Sequence, residues 1–171
     1  MQKIIFIQGI HNSPIRNKII LSLLQSLSGN VVYFPLFYTL EQTDKQLELI
    51  KTIDNYLEKS EGDHIILGHS FGGIITYSLK EKNYRKVSQI ITVASPHTVP
   101  FIWFKEILSK LPYKTTIKVN KQKSYGFLFD MTVPYLFTKY PQVDSHKTLL
   151  GTHNILLKSE TFIKKIYFLF L

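Results

Sequence analysis

The chain of 171 residues contains no cysteine, which excludes a disulfide framework, thiolate zinc sites and a cysteine nucleophile. Any covalent catalysis must use another nucleophile. Low-complexity segments and internal repeats are also missing, and with 44% hydrophobic and 19% charged residues the composition is neither disordered nor fibrous. No apolar run is long enough to span a bilayer. The carboxyl-terminal NILLKSETFIKKIYFLFL is interrupted by Lys164 and Lys165, and reads as a packed helix with Phe162, Ile163, Ile166, Tyr167 and Phe170 on one stripe. The amino-terminal MQKIIFIQGI has one lysine and four apolar residues before Gln8, too short for the apolar core of a signal peptide, so a cytoplasmic location is expected.

What the chain has in excess is positive charge. A formal net charge of +9 raises nucleic acid, anionic membranes and acidic substrates as partners. The densest basic stretches, residues 80–86 and 114–123, carry neither spaced aromatics nor a nucleic-acid motif and read as solvated faces. No nucleic-acid partner is expected, and weak contact with an anionic membrane surface is the most that the charge implies.

The length suits one compact domain, residues 1–171, with a core that needs no disulfides or metals. KIIFIQG reads as a short buried strand, and IRNKIILSLLQSL as a helix with Ile15, Ile19, Leu23 and Leu27 on one face. NVVYFPLFY is strand-like, and Pro35 inside it argues for an edge position or an early end. TDKQLELIKTIDNYLEKS opens with a capping-box pattern at Thr43 and Gln46 and aligns Ile50, Ile53 and Leu57. HIILG, VSQIITVAS and HKTLLG are further strands, TTIKVNKQKSYGFLFD is strand-like, and FGGIITYSLKEKN and the end of PHTVPFIWFKEILSKL are helical. Strands alternating with helices imply a mostly parallel sheet of about six strands with helices on both faces. Function in such a sheet gathers at the carboxyl ends of the strands.

Gly68-His69-Ser70-Phe71-Gly72 matches the G-x-S-x-G nucleophile elbow, flanked as it requires by a strand and a helix. A serine hydroxyl needs a base, and the base an orienting carboxylate, in the chain order serine, acid, histidine. His153 follows the last strand on the elbow's edge and is the expected base. His97, in ASPHTVP, is the alternative, while His146 starts a strand and reads as a surface residue. Asp130 follows a strand end and is the expected acid over Asp144, which precedes the last strand. The N–H groups of Phe71 and Ile10 are the expected oxyanion donors. His11 and His69 fit pocket-lining roles, and Phe101 and Trp103, with Phe104, offer an apolar wall for an acyl chain.

On IIFIQGI, ILGHSFGG, FDMTVP and GTHNILLKSE, the chain resembles the α/β-hydrolases, specifically small lipase-like members without a cap domain. It departs from many of them in having Gln8-Gly9 where they have His-Gly, and in a polar stretch between Val119 and Asp130 where a central strand is expected. The resemblance implies hydrolysis of a small-molecule carboxylic ester through an acyl-serine, with no metal or organic cofactor. A thioesterase, peptidase or acyltransferase would use the same residues, and a binding module on the hydrolase fold would use none of them catalytically.

Overall fold

The computed structural model describes residues 3–10, 14–36, 38–98, 102–161 and 163–164. The strands are β1 (Lys3–Ile7), β2 (Val31–Tyr33), β3 (His64–His69), β4 (Val87–Val93), β5 (Lys121–Phe127) and β6 (Ser145–Leu149). They form one sheet in the order β2-β1-β3-β4-β5-β6. All five pairings are parallel, so the sheet expected to be mostly parallel is wholly so. The helices are α1 (Pro14–Ser28), α2 (Thr43–Lys59), α3 (Gly72–Thr76), α4 (Ile102–Ser109) and α5 (Ile155–Lys158). Among the described residues no helix is long and apolar enough to cross a membrane.

Strand alternation sends successive side chains to opposite faces, so a strand covered on both sides is apolar at every position. In β1, Ile4 and Phe6 join Ile20 and Leu24 of α1 and Ile163 in one core. Ile5 and Ile7 join Leu49, Ile53 and Leu57 of α2 and Ile74 and Ile75 of α3 in the other. Each fully buried aliphatic side chain contributes roughly 1.5–3 kcal/mol.

Four local expectations are corrected. The inward stripe of α1 runs through Asn17, Ile20 and Leu24, while Ile19 is exposed; the side chain of Ile15 lies outside the described residues. The inward position is polar because the Asn17 amide donates to Gln8 Oε1, so counting apolar residues turned the helix the wrong way. The capping box of α2 is not formed. Gln42 is the N-cap and makes no side-chain cap bond, and the Gln46 amide instead donates to the carbonyls of Thr39 and Leu40 at 2.7 and 3.1 Å.

The helix after Ser70 is short, because Asp54 of α2 captures the chain beyond it: its Oδ1 accepts from Lys80 N at 3.0 Å and from the Asn83 amide at 2.6 Å. A 3-10 turn, Glu81–Lys86, follows. His146 is a half-buried strand residue rather than a surface one, its Nδ1 lying 2.7 Å from Ser124 Oγ. That pair and Gln122 account for the buried polar side chains of β5. The Gln122 side chain accepts from Tyr77 OH at 3.0 Å and donates to the carbonyls of Ile117 and Gln142 at 3.2 and 3.3 Å. Of the stripe expected on the last helix, Ile163 is buried, and Phe162, Ile166, Tyr167 and Phe170 lie outside the described residues.

From β1 the chain first crosses to β2 on one side and later returns to β3 on the other. The crevice above the carboxyl ends of β1 and β3 is therefore the topological switch point, where open parallel sheets bind their ligands.

Candidate active site

Ser70 stands one residue beyond β3 with a φ of 55°, a left-handed conformation that a residue with a side chain adopts at a cost of about 1–3 kcal/mol. The turn is held by Ser70 N donating to Val93 O at 2.9 Å and by Gly73 N donating to Ser70 O at 3.0 Å. Close approach requires glycine on either side of it. A Cβ on Gly72 would strike the carbonyl oxygens of Ile7 and Gln8, and one on Gly9 would lie 2.6 Å from Ser70 Cβ. The helix after the serine is thus pressed onto the end of β1, and the loop after β1 onto the serine.

Asp130 and His153 reach Ser70 from the far side of the sheet. Adjacent strands lie about 4.8 Å apart, so β6, three positions from β3, cannot deliver a side chain to the elbow without a loop that folds back. It does fold back. His153 Nε2 lies 2.9 Å from Ser70 Oγ and its Nδ1 2.8 Å from Asp130 Oδ2. Because a carboxylate only accepts, Nδ1 carries the proton and Nε2 is left to accept from the serine hydroxyl. Asp130 is itself fastened, its Oδ1 accepting from Thr132 N and Val133 N at 2.9 and 2.7 Å. The loop is tied to the end of β5 by Leu128 N donating to Leu149 O and Phe129 N to Gly151 O.

No described residue accepts a hydrogen bond from the N–H of Phe71 or of Ile10. Both stand beside the serine, Phe71 as its neighbour and Ile10 next to Gly9. The loop that carries Ile10 is anchored by Gln8, a residue the motifs did not single out. Its carbonyl accepts from Tyr38 OH at 2.7 Å. Its side chain accepts from Tyr33 OH at 2.6 Å and donates to Leu36 O at 2.7 Å. The available signal was a glutamine ending an otherwise apolar strand, since a buried amide must be satisfied by partners.

The remaining expectations divide. His69 does not line a pocket: it is fully buried, and its Nε2–H donates to the carbonyl of His153 at 2.9 Å. Burial, with His153 adding to it, pushes the His69 pKa down to about 3, so the ring is neutral. His97 makes no contact with Ser70; it is buried between Thr92 Oγ1 and Tyr113 OH, at 3.1 and 3.2 Å, and burial pushes its pKa to about 3. Asp144 sits before β6, as expected, accepting from Gln122 N at 2.6 Å. Phe104 is buried against Phe71, ring centroids 6.4 Å apart, whereas Trp103 is 54% exposed. His11 and Phe101 lie outside the described residues. Among the described residues no cluster of three or more His, Asp or Glu could hold a metal ion.

The whole fold has solved counterparts. Alpha/beta hydrolase domain-containing protein 10 from mouse is 17% identical with a TM-score of 0.67, over 98% of this chain and 89% of that one. A lipase-esterase related protein from Clostridium acetobutylicum is 12% identical with a TM-score of 0.68, over 97% and 93%. A pyrethroid hydrolase from Sphingobium faniae is 15% identical with a TM-score of 0.65, over 98% and 96%. These similarities establish the α/β-hydrolase fold. No curated protein sequence matches the chain. The PGAP1-like alpha/beta domain family matches residues 37–148, a span that holds both Ser70 and Asp130. With about two thirds of its length so matched, the chain belongs to the PGAP1-like alpha/beta domain family.

Proposed function

We propose that the protein is a serine hydrolase that cleaves carboxylic esters through an acyl-serine intermediate. The observation that carries this reading is the unbroken hydrogen-bonded series from Asp130 through His153 to Ser70, at 2.8 and 2.9 Å. In the reaction, His153 Nε2 takes the Ser70 proton as Oγ attacks the ester carbonyl. Asp130 holds the ring in that tautomer and stabilises its cationic form. The oxyanion receives the N–H groups of Phe71 and Ile10, each worth about 3 kcal/mol of barrier. His153 then gives its proton to the departing alcohol, and water, activated by the same nitrogen, releases the acid.

The bound acyl part lies against apolar side chains beside the elbow, with the Phe71 and Phe104 rings behind it. A fluorophosphonate probe should label the wild type and leave Ser70→Ala unlabelled. Equal labelling of the two proteins would end this reading.

A further inference from the structure

The two basic stretches, residues 80–86 and 114–123, hold eight lysines and arginines against the single acid Glu81, and so seven of the nine net charges of the chain. Separate in sequence, they meet in the fold. The 3-10 turn Glu81–Lys86 leads into β4, and residues 116–120 lead into β5. Because β4 and β5 are parallel neighbours, both stretches stand at the amino edge of the sheet. Between them lies a cavity of about 690 Å³ walled by Lys82, Arg85 and Lys118, with the buried Val87 and Ile117 at its base. Each of these strands has seven residues, and at about 3.3 Å per residue roughly 20 Å of sheet separates the cavity from Ser70 at the opposite edge. Both walls are fixed from behind. Tyr84 OH donates to Thr76 O at 2.7 Å, and Lys86 Nζ donates to the carbonyls of Leu57, Glu58 and Ser60 at the end of α2. Across the cavity, Ile117 N donates to Tyr140 OH at 3.0 Å. Lys82 shares Glu58 with Lys80. Among the described residues, neither Arg85 nor Lys118 has a carboxylate within ion-pairing distance, Glu81 included.

We propose that this cavity binds a soluble organic phosphate of nucleotide size, its phosphates held by Arg85, Lys118 and Lys82 and its body resting on Val87 and Ile117. The site stands apart from the hydrolase reading. A concave wall of one sign of charge focuses its field on an anion, and the guanidinium fork matches two phosphate oxygens at once. The volume falls within the range of small-molecule sites, about 300–1,000 Å³. Two observations select a small soluble ligand over a macromolecule. None of the large apolar side chains exposed among the described residues belongs to either stretch, so the walls carry nothing to insert into a bilayer. The aromatic residue on the wall, Tyr84, is buried and offers no open face on which nucleic-acid bases could stack.

Equilibrium dialysis of the full chain against ATP at low salt should show saturable binding at one site. Tripolyphosphate, which lacks a body for the apolar base, should bind more weakly. Arg85→Gln and Lys118→Gln should each raise the Kd for ATP about tenfold or more, with wild-type thermal unfolding midpoints showing that the fold is kept. Lys18→Gln removes the same charge from an exposed position of α1, which packs on the other face of the sheet, and should leave the Kd within about twofold. Ser70→Ala should bind ATP as the wild type does, so binding and catalysis are scored separately. Absence of saturable binding at low salt would overturn the proposal. So would tripolyphosphate binding as tightly as ATP, or Lys18→Gln weakening binding as much as the wall variants do. Tighter binding of an RNA oligonucleotide, or of vesicles containing a phosphatidylinositol phosphate, would overturn it as well.

Discussion

The two halves of the site are built by different physics. On the elbow half, Ser70 is placed by close packing at glycines: Gly72 lies on the carbonyls of Ile7 and Gln8, and Gly9 on the serine side chain itself. On the other half, Asp130 and His153 sit in loops whose positions depend on hydrogen bonds, from Thr132 and Val133 to Asp130 and from His69 to the His153 carbonyl. Steric placement tolerates no added atom at Gly72, because the obstructing atoms there are main chain. Hydrogen-bonded placement tolerates exchange of side chains wherever the donor or acceptor is retained. The second half is also where the exposed apolar side chains gather.

The largest expected effect tests the acid. Asp130→Asn should lower turnover about 10³- to 10⁴-fold, through loss of the charge and tautomer control, as read in steady-state ester hydrolysis. Asp144→Asn, whose side-chain oxygen can still accept from Gln122 N, should change it by about twofold or less. A reversed order would move the acid to the opposite edge of the sheet.

Next comes the steric half. Gly72→Ala should destabilise the fold by about 2–3 kcal/mol in urea unfolding and abolish probe labelling, because neither Ile7 O nor Gln8 O can move aside without disturbing β1. A stable, labelled alanine variant would show that backbone contact does not set the elbow.

His69 probes the hydrogen-bonded half directly. His69→Leu removes the donor to His153 O and should lower kcat roughly tenfold or more by letting the base drift, with KM little changed. His69→Gln, whose amide can donate in its place, should recover part of that loss. Identical behaviour of the two variants would mean that the histidine only fills space.

The smallest effect, per unit of pH, is on stability. His69 and His97 have folded pKa values of about 3 against 6.5 for the free side chain. Below 6.5 the unfolded chain therefore binds protons that the folded one refuses. Stability should fall as pH drops from about 6.5 toward 3, by up to about 1.4 kcal/mol per pH unit for each histidine, and be flat on their account above that range. Urea unfolding at stepped pH reads the slope, and a midpoint unchanged down to about pH 4 would contradict it.

The elbow was legible because its determinants are neighbours in sequence: glycines, a serine, an apolar strand before and a helix start after. Alternation along the chain gave the parallel sheet on the same local grounds. The rotation of α1 and the length of α3 were not legible, since each is decided by a distant polar partner. Asn17 turns inward to reach Gln8, and Asp54 of α2 holds the chain at Lys80, beyond the end of α3 at Thr76. The burial of His69 was equally hidden, for it sits one residue from the serine yet points behind the histidine that it holds.

What the sequence by itself determined was a strand, a strained serine turn and a helix, together with the order in which an acid and a histidine follow. Covalent neighbours and side-chain periodicity suffice for that. Only the tertiary structure decided that His153, emerging three strands away from the elbow, is carried back to within 2.9 Å of Ser70. It also brought exposed apolar side chains of separate loops to the carboxyl edge of the sheet. Both outcomes depend on loops crossing the edge of a finished sheet, a distance that no local pattern encodes.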